Sequence, residues 1–119
     1  MLSLAGNYRY FLFKGSADMR KSFDGLSGLV RSVLLSDPLS GDIFIFLNAR
    51  RNQIKLLAWE QDGFAIYHKR LERGTFELPG ETCQGASIHL SKDKLSLILG
   101  GVHLSSVRYR SRFSLENKR

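Results

Sequence analysis

Three strand-like segments follow one another closely between residues 43 and 71, and they limit the possible folds more than any other feature of the chain. They read "IFIFLN" (43–48), "QIKLLAWE" (53–60) and "FAIYHKRL" (64–71). The connections "ARRN" and "QDG" are too short for a crossover, so neighbouring strands must be antiparallel. We therefore predict a meander. The first segment is apolar on both faces, which predicts a central, covered strand.

Further strands are predicted on both sides of the meander. "NYRYFLF" (7–13) precedes it, and "ASIHL" (86–90) follows it. "VRYRSRF" (107–113) alternates strictly, with every arginine on one side, so the basic segment 107–119 is either a strand or a tail. We predict an antiparallel sheet of four to six strands in a single α+β domain over residues 1–119, a length that suits one domain.

Two helices complete the predicted fold. A long helix over 17–35 follows from apolar residues that recur at helical spacing and form one stripe for packing on the sheet. Ser16 is its predicted cap, and Asp18 lies in its first turn. A short second helix is predicted over 91–99, with Ser91 as its cap. The apolar stripe of the long helix consists of Met19, Phe23, Leu26, Val30, Val33 and Leu34.

Charge and cysteine content bear on the partners and the compartment. The net charge is +7, and residues 107–119 carry five cations against one acid, which is +4 of that excess. A basic surface favours polyanions such as nucleic acid, and the alternative is a protein that is basic without such a partner. Cys83 is the only cysteine, which indicates a reducing, cytoplasmic setting. The sequence shows no signal peptide and no apolar run that spans a membrane, so we predict no membrane association.

A catalytic or metal centre is not indicated by the residue spacing. His68, His89, His103 and Cys83 have none of the usual ligand spacings, and the acids mostly lie beside cations or in turns. No glycine-rich phosphate loop is present. We predict no metal, no cofactor and no catalytic residue, although folding can bring distant carboxylates together as in a metal-dependent nuclease.

The best candidates for a binding role are cations. In a tight meander, the hairpin at residues 50–51 and the "HKRLERG" segment (68–74) lie at the same end of the sheet. Cations interleaved with aromatic residues can bind phosphates and stack bases, and the alternative is that they keep a hairpin and a sheet edge soluble. The candidate nucleic-acid-binding residues are Arg50, Arg51, Lys55, Lys69, Arg70, Arg73, Arg108, Arg110 and Arg112.

A second candidate surface lies in "DMRKSFDGL" (18–26). Its charges can pair with one another, which favours a structural role. Two glycines inside the predicted helix form a small flank, which allows close approach of the protein's own sheet or of another chain. The candidate partner-binding residues are Arg20, Lys21, Asp24, Gly25 and Gly28.

Four blocks of the chain resemble a known family in sequence, order and spacing. "ADMRKSFDGL", "IFIFLNARRNQIKLLAWEQDGF", "YHKRLERGTFELP" and "LSKDKLSLILGGV" are similar to the small accessory protein (TnpB-type, second reading frame) of the bacterial insertion-sequence family sixty-six, over roughly residues 8–102. The resemblance implies a role in transposition beside a separate transposase, which performs the strand chemistry. It implies as partners the transposase and the other accessory protein of the element, and the basic end of the sheet adds DNA as a predicted partner.

Two functions remain open from the sequence, apart from an enzyme with a hidden carboxylate or His/Cys cluster. The first is a non-catalytic accessory protein that binds DNA through the basic end of its sheet. The second is a protein–protein adaptor for the transposase that does not bind DNA directly.

Overall fold

The computed structural model describes residues 7–78 and 85–100, which form one five-stranded sheet with a helix on each face. The sheet order is β4-β3-β2-β1-β5. The strands are Tyr10–Ser16 (β1), Ile43–Leu47 (β2), Gln53–Trp59 (β3), Phe64–Arg70 (β4) and Ser87–Leu90 (β5), and the helices are Phe23–Ser32 (α1) and Lys92–Leu99 (α2).

The predicted meander is confirmed. β2 pairs antiparallel with β3, and β3 pairs antiparallel with β4. All five residues of β2 are buried, and β2 is the middle strand of the sheet, as its two apolar faces predict.

The prediction of a purely antiparallel sheet is wrong, because β1 runs parallel to β2. The connection 17–42 contains α1, which carries the chain back to the end of the sheet where β1 began. A crossover of this length permits parallel pairing, which a tight turn cannot. β5 then pairs antiparallel with the other side of β1, and the sheet is therefore mixed.

The pairing of β1 with β2 is interrupted near the end of both strands. Leu12 is opposite Ile45, but the next paired residues are Ser16 and Leu47. Three residues of β1 therefore stand where β2 has one, which is an irregularity of the bulge type. Along this stretch β1 stays paired with β5, where the N–H of Lys14 donates to the carbonyl of residue 86 over 2.9 Å.

Each face of the sheet has its own apolar layer. One layer lies between the sheet and α2, where Leu56 and Leu95 are completely buried. The other lies between the sheet and α1, where Leu26, Val30 and Phe46 are completely buried. Each such side chain contributes about 1.5–3 kcal/mol to folding by leaving water.

The first helix is shorter than the predicted helix 17–35, and the described residues contain no long helix. α1 covers only Phe23–Ser32. Ser16 ends β1 instead of capping a helix, and Asp18 lies in the loop before α1. The predicted stripe is correspondingly only partly buried, since Phe23 keeps 44% of its surface exposed.

The loop of residues 17–22 is not helical because its polar groups have other partners. The N–H of Ala17 donates to the carbonyl of Leu47 (2.8 Å), which ties the loop to β2. The carboxylate of Asp18 accepts the N–H of Arg20 (2.9 Å), and two loop carbonyls accept hydrogen bonds from the sheet. Local side-chain bonds of this kind compete with the helical pattern.

The short second helix is confirmed. The hydroxyl of Ser91 accepts the N–H of Lys94 (3.1 Å), which is the predicted cap. Neither helix among the described residues is long and apolar enough to cross a membrane. The predicted strand 107–113 lies outside the described residues, and the assignment of residues 1–119 to a single domain stays a prediction.

Candidate functional site

Several chain segments meet at one end of the sheet, which we call the hairpin end. It consists of Ser16, residues 47–53 and Arg70 with the chain that follows it. Ser16 pairs with Leu47, and Gln53 pairs with Arg70. The "ARRN" turn and the "HKRLERG" segment are therefore adjacent in space, as the meander predicts.

The turn at the hairpin end is held by one asparagine. The Asn48 carboxamide oxygen accepts the N–H groups of Asn52 and Gln53, both at 3.0 Å. Its Nδ2 donates to the Oδ1 of Asn52 over 2.7 Å. Arg50 and Arg51 are exposed on this turn, and the backbone of Arg51 is left-handed with φ 59°. A residue other than glycine is strained when its backbone is left-handed, and the surrounding hydrogen bonds hold Arg51 in this conformation.

The segment after β4 runs back along the turn. The N–H of Leu71 donates to the Asn52 carbonyl (2.8 Å), and the N–H of Phe76 donates to the Arg51 carbonyl (2.7 Å). Phe76 is buried in the layer under α2, which anchors the segment. The exposed Arg73 lies between these two contacts and is thereby kept at the hairpin end.

The cations of this end differ in their partners. Arg70 pairs with Glu72 through Nε at 3.1 Å. Within residues 7–78 and 85–100, no carboxylate pairs with Arg50, Arg51 or Arg73. Three arginines are therefore available to an external anion.

Two lysines of the predicted set lie elsewhere. Lys69 is half-buried on the α2 side of the sheet, and its Nζ donates to the carbonyl of Leu99 (3.2 Å) at the last turn of that helix. A cation there interacts favourably with the helix dipole. Lys55 is buried on the opposite side, with 7% of its surface exposed. Both ammonium groups therefore have backbone carbonyls of the protein itself as partners.

Lys55 instead fastens loop 17–22 to the sheet. Its Nζ donates to the carbonyl oxygen of Met19 at 2.9 Å and to that of Lys21 at 2.7 Å. A buried ammonium is costly unless it is hydrogen-bonded, and here the loop supplies the acceptors. The loop therefore packs beside the hairpin end, and the side chains of Arg20 and Lys21 are exposed.

An ion pair defines the exposed side of the loop. The guanidinium of Arg20 meets the Asp18 carboxylate, with Nη2 to Oδ2 at 2.6 Å. The hydrogen bonds from the Arg20 side chain and backbone lower the pKa of Asp18 to about 2. Asp24 takes no part in this pair and lies in the first turn of α1.

The glycines of α1 do not approach the sheet. A Cβ on Gly25 would lie 3.0 Å from the Cβ and Cγ of Lys21, so this glycine accommodates the lysine stem. A Cβ on Gly28 would meet nothing within 4 Å. Close approach at Gly25 is therefore to the protein's own loop, and Gly28 faces open space.

Sequence reasoning did not place two polar residues at this end, and it considered His68 only as a metal ligand. His68 is opposite Lys55 across β3 and β4, and its Nε2 lies 2.9 Å from the Oε1 of Gln53. Burial, followed by the charges of Lys55 and Arg70, lowers the pKa of His68. The meander register was the one signal that could have placed these residues, because it sets which side chains are opposite one another.

Part of the predicted constellation falls outside the described residues. This applies to Cys83 and His103, which belong to the metal alternative, and to the arginine face of the predicted last strand. Among residues 7–78 and 85–100, no three His, Cys, Asp or Glu side chains group as a metal site requires. The arginines outside the described ranges are Arg108, Arg110 and Arg112.

The fold and this surface define a small α+β protein with three available arginines at one end of a mixed sheet. The chain belongs to the family described as "IS66 Orf2 like protein", which matches residues 8–109. This is a family of accessory proteins of insertion sequences, and the resemblance seen in the sequence is thereby confirmed.

Two curated relatives come from Sinorhizobium fredii (strain NBRC 101917 / NGR234). The chain is 31% identical to "Uncharacterized protein y4jC" over 108 residues, which cover 91% of each chain. It is 33% identical to "Uncharacterized protein y4hO" over 102 residues, which cover 86% of this chain and 87% of the relative. No solved structure matches the chain.

Proposed function

We propose that this chain is a non-catalytic accessory protein of insertion-sequence transposition that binds DNA through the hairpin end. The observation that carries the proposal is that three exposed arginines at the hairpin end, Arg50, Arg51 and Arg73, have no carboxylate partner in the described residues. When cations of this kind bind DNA phosphates, they release the counterions that were condensed on the DNA, and this release is the main source of affinity for DNA.

The way these arginines are held also supports the proposal. The Asn48 carboxamide holds the turn, and the contacts of residues 71 and 76 hold the segment that carries Arg73. Phosphate contacts that are fixed before binding lose less conformational entropy on binding. In the part of the chain that the structure describes, this surface offers no helix for the major groove, since α1 and α2 pack on the sheet faces. We therefore expect phosphate contacts without strong base recognition, and we expect the transposase or the other accessory protein to add specificity.

The location follows from the same proposal. A protein that acts on the DNA of a bacterial element works in the cytoplasm, and the single cysteine agrees with a reducing compartment.

A charge-matched pair of variants tests DNA binding. Arg50→Ala and Arg31→Ala each remove one exposed cation, but Arg31 lies in the last turn of α1, after the helix has left the hairpin end. Arg50→Ala should weaken binding to duplex DNA and reduce the slope of log affinity against log salt by about 1. Arg31→Ala should leave both nearly unchanged. Equal effects of the two variants would mean that overall charge, and not this surface, binds DNA.

The adaptor function is the second candidate, and loop 17–22 favours it. Lys55 holds the backbone of the loop against the sheet, and Arg20 and Asp18 form an ordered ion pair on its solvent-exposed side. Co-purification with the transposase should then survive nuclease and high salt and be lost on Asp18→Asn combined with Arg20→Gln. Loss of co-purification of the unaltered protein under nuclease treatment would exclude an adaptor role that is independent of DNA.

A further inference from the structure

A cavity of about 180 Å³ lies at the hairpin end, between the last residues of β1 and the turn after β2. It has room for about six water molecules, since each takes about 30 Å³ in the liquid. The polar lining comes from Lys14, Ser16, Asn48 and Arg51.

The strand register explains why this cavity exists. After Leu12 the pairing of β1 with β2 is interrupted, and it resumes only at Ser16 and Leu47. In this interval β1 remains with β5, so a gap opens beside β2. Irregular pairing of this kind often lies next to binding sites because it re-aims side chains.

The lining has the chemistry of an anion site. Of the described residues that line the cavity, two are cations and none is an acid. The hydroxyl of Ser16 and the second N–H of the Asn48 Nδ2, which does not bond to Asn52, add uncharged hydrogen-bond donors. Charge-assisted hydrogen bonds from lysine and arginine to an oxyanion are stronger than bonds between neutral groups.

Arg51 belongs both to this cavity and to the exposed turn. Its left-handed backbone is held by the hydrogen bond from its N–H to the carbonyl of Asn48 (3.0 Å) and by the bond that its own carbonyl accepts from residue 76. An anion in the cavity therefore lies next to the surface proposed to meet DNA.

We propose that this cavity is a binding site for one phosphate group, held between Lys14 and Arg51. The proposal that nucleic acid supplies this phosphate rests on the proposed function, whereas binding of phosphate itself does not. That source is a phosphate of bound nucleic acid or free inorganic phosphate, and the two are separated by experiment.

The first experiment uses inorganic phosphate and needs no DNA. Amide signals of residues 14–16 and 48–51 are followed by ¹H–¹⁵N NMR during titration with sodium phosphate, and with sodium chloride at matched ionic strength. We expect a saturable shift with phosphate alone. Lys14→Gln should weaken it about tenfold, as expected for the loss of one charge-assisted hydrogen bond. Lys14→Arg should retain it, and Lys92→Gln on α2 serves as the charge-matched control.

Identical shifts with phosphate and chloride, or phosphate binding that Lys14→Gln leaves unchanged, would overturn the proposal. The fold of each variant is checked by the rest of its NMR spectrum.

The second experiment identifies the source of the phosphate through DNA affinity. If nucleic acid supplies it, Lys14→Gln weakens DNA binding more than Lys92→Gln does, and free phosphate competes with DNA more than ionic strength explains. If Lys14→Gln lowers phosphate affinity but not DNA affinity, the cavity binds free phosphate. The proposed function is then judged separately by Arg50→Ala, which lies outside the cavity lining.

Discussion

The Nζ of Lys55 donates a hydrogen bond of 2.7 Å to the carbonyl oxygen of Lys21, although 34 positions separate the two residues in the chain. This bond and a second one, from Lys55 to the carbonyl oxygen of Met19, join β3 to loop 17–22. The loop and the meander, which each carry a group of candidate residues, are therefore joined directly to each other.

Replacement of Lys55 by methionine should destabilise the protein. Lys55→Met keeps the apolar stem but leaves two loop carbonyls without their donor, at a cost of about 1–3 kcal/mol in the free energy of unfolding. Urea denaturation measures this loss. Lys69→Met is the matched control, since it removes a single 3.2 Å bond from a half-buried lysine and should cost less. An equal or larger loss in the control would contradict the role assigned to Lys55.

Replacement of Arg51 by glycine should raise the stability of the protein and lower its affinity for DNA. Arg51→Gly relieves a left-handed backbone and should raise the free energy of unfolding by about 0.5–1 kcal/mol, after the larger entropy of unfolded glycine is allowed for. Its affinity for DNA should nevertheless fall. Gln61→Gly is the control, because Gln61 has a similar φ of 68° in the turn between β3 and β4, at the other end of β3. It should gain similar stability without loss of DNA affinity; a matching loss of affinity would argue against the arginine contact.

The ion pair of loop 17–22 should be visible in a pH titration. Because the pKa of Asp18 falls from 3.8 to about 2 in the folded protein, its ion pair stabilises the fold above pH 3.8. This contribution is lost as the pH falls from 3.8 towards 2. Titration of the carboxyl carbon by ¹³C NMR should show the low pKa. Arg20→Ala should raise it, and Arg31→Ala should not; an unchanged value in Arg20→Ala would exclude the pair in solution.

Removal of the Tyr10 hydroxyl should not destabilise the protein. Tyr10 is 1% exposed, and its hydroxyl has no hydrogen-bond partner within the described part of the chain. A buried hydroxyl without a partner costs free energy, so Tyr10→Phe should be neutral or stabilising by up to about 1 kcal/mol. Thermal unfolding measures the change, and Tyr8→Phe is the exposed control. A clear loss of stability in Tyr10→Phe alone would show that the hydroxyl has a partner.

The sequence was sufficient for the parts of the fold that depend on local pattern. Short connections made the meander antiparallel, the doubly apolar "IFIFLN" segment placed β2 at the centre, and Ser91 marked the start of α2. These features depend on neighbours within a few positions, and such neighbours are visible in the chain. The shared end of residues 50–51 and 70–73 followed from the same meander.

The tertiary structure alone decided the features that depend on distant groups. The helix predicted around "DMRKSFDGL" begins late, at Phe23, because Leu47 and Lys55 offer the backbone of residues 17–22 other partners, and periodicity does not report such competition. The pairing of β1 is parallel because α1 forms a crossover, and the irregular register beside β2 opens the cavity. A lysine in "QIKLLAWE" looks like a surface cation in sequence, but the loop above it supplies two acceptors and makes it a buried support. Composition therefore determined that the protein is basic, whereas hydrogen bonding between distant segments determined which of its cations meet solvent.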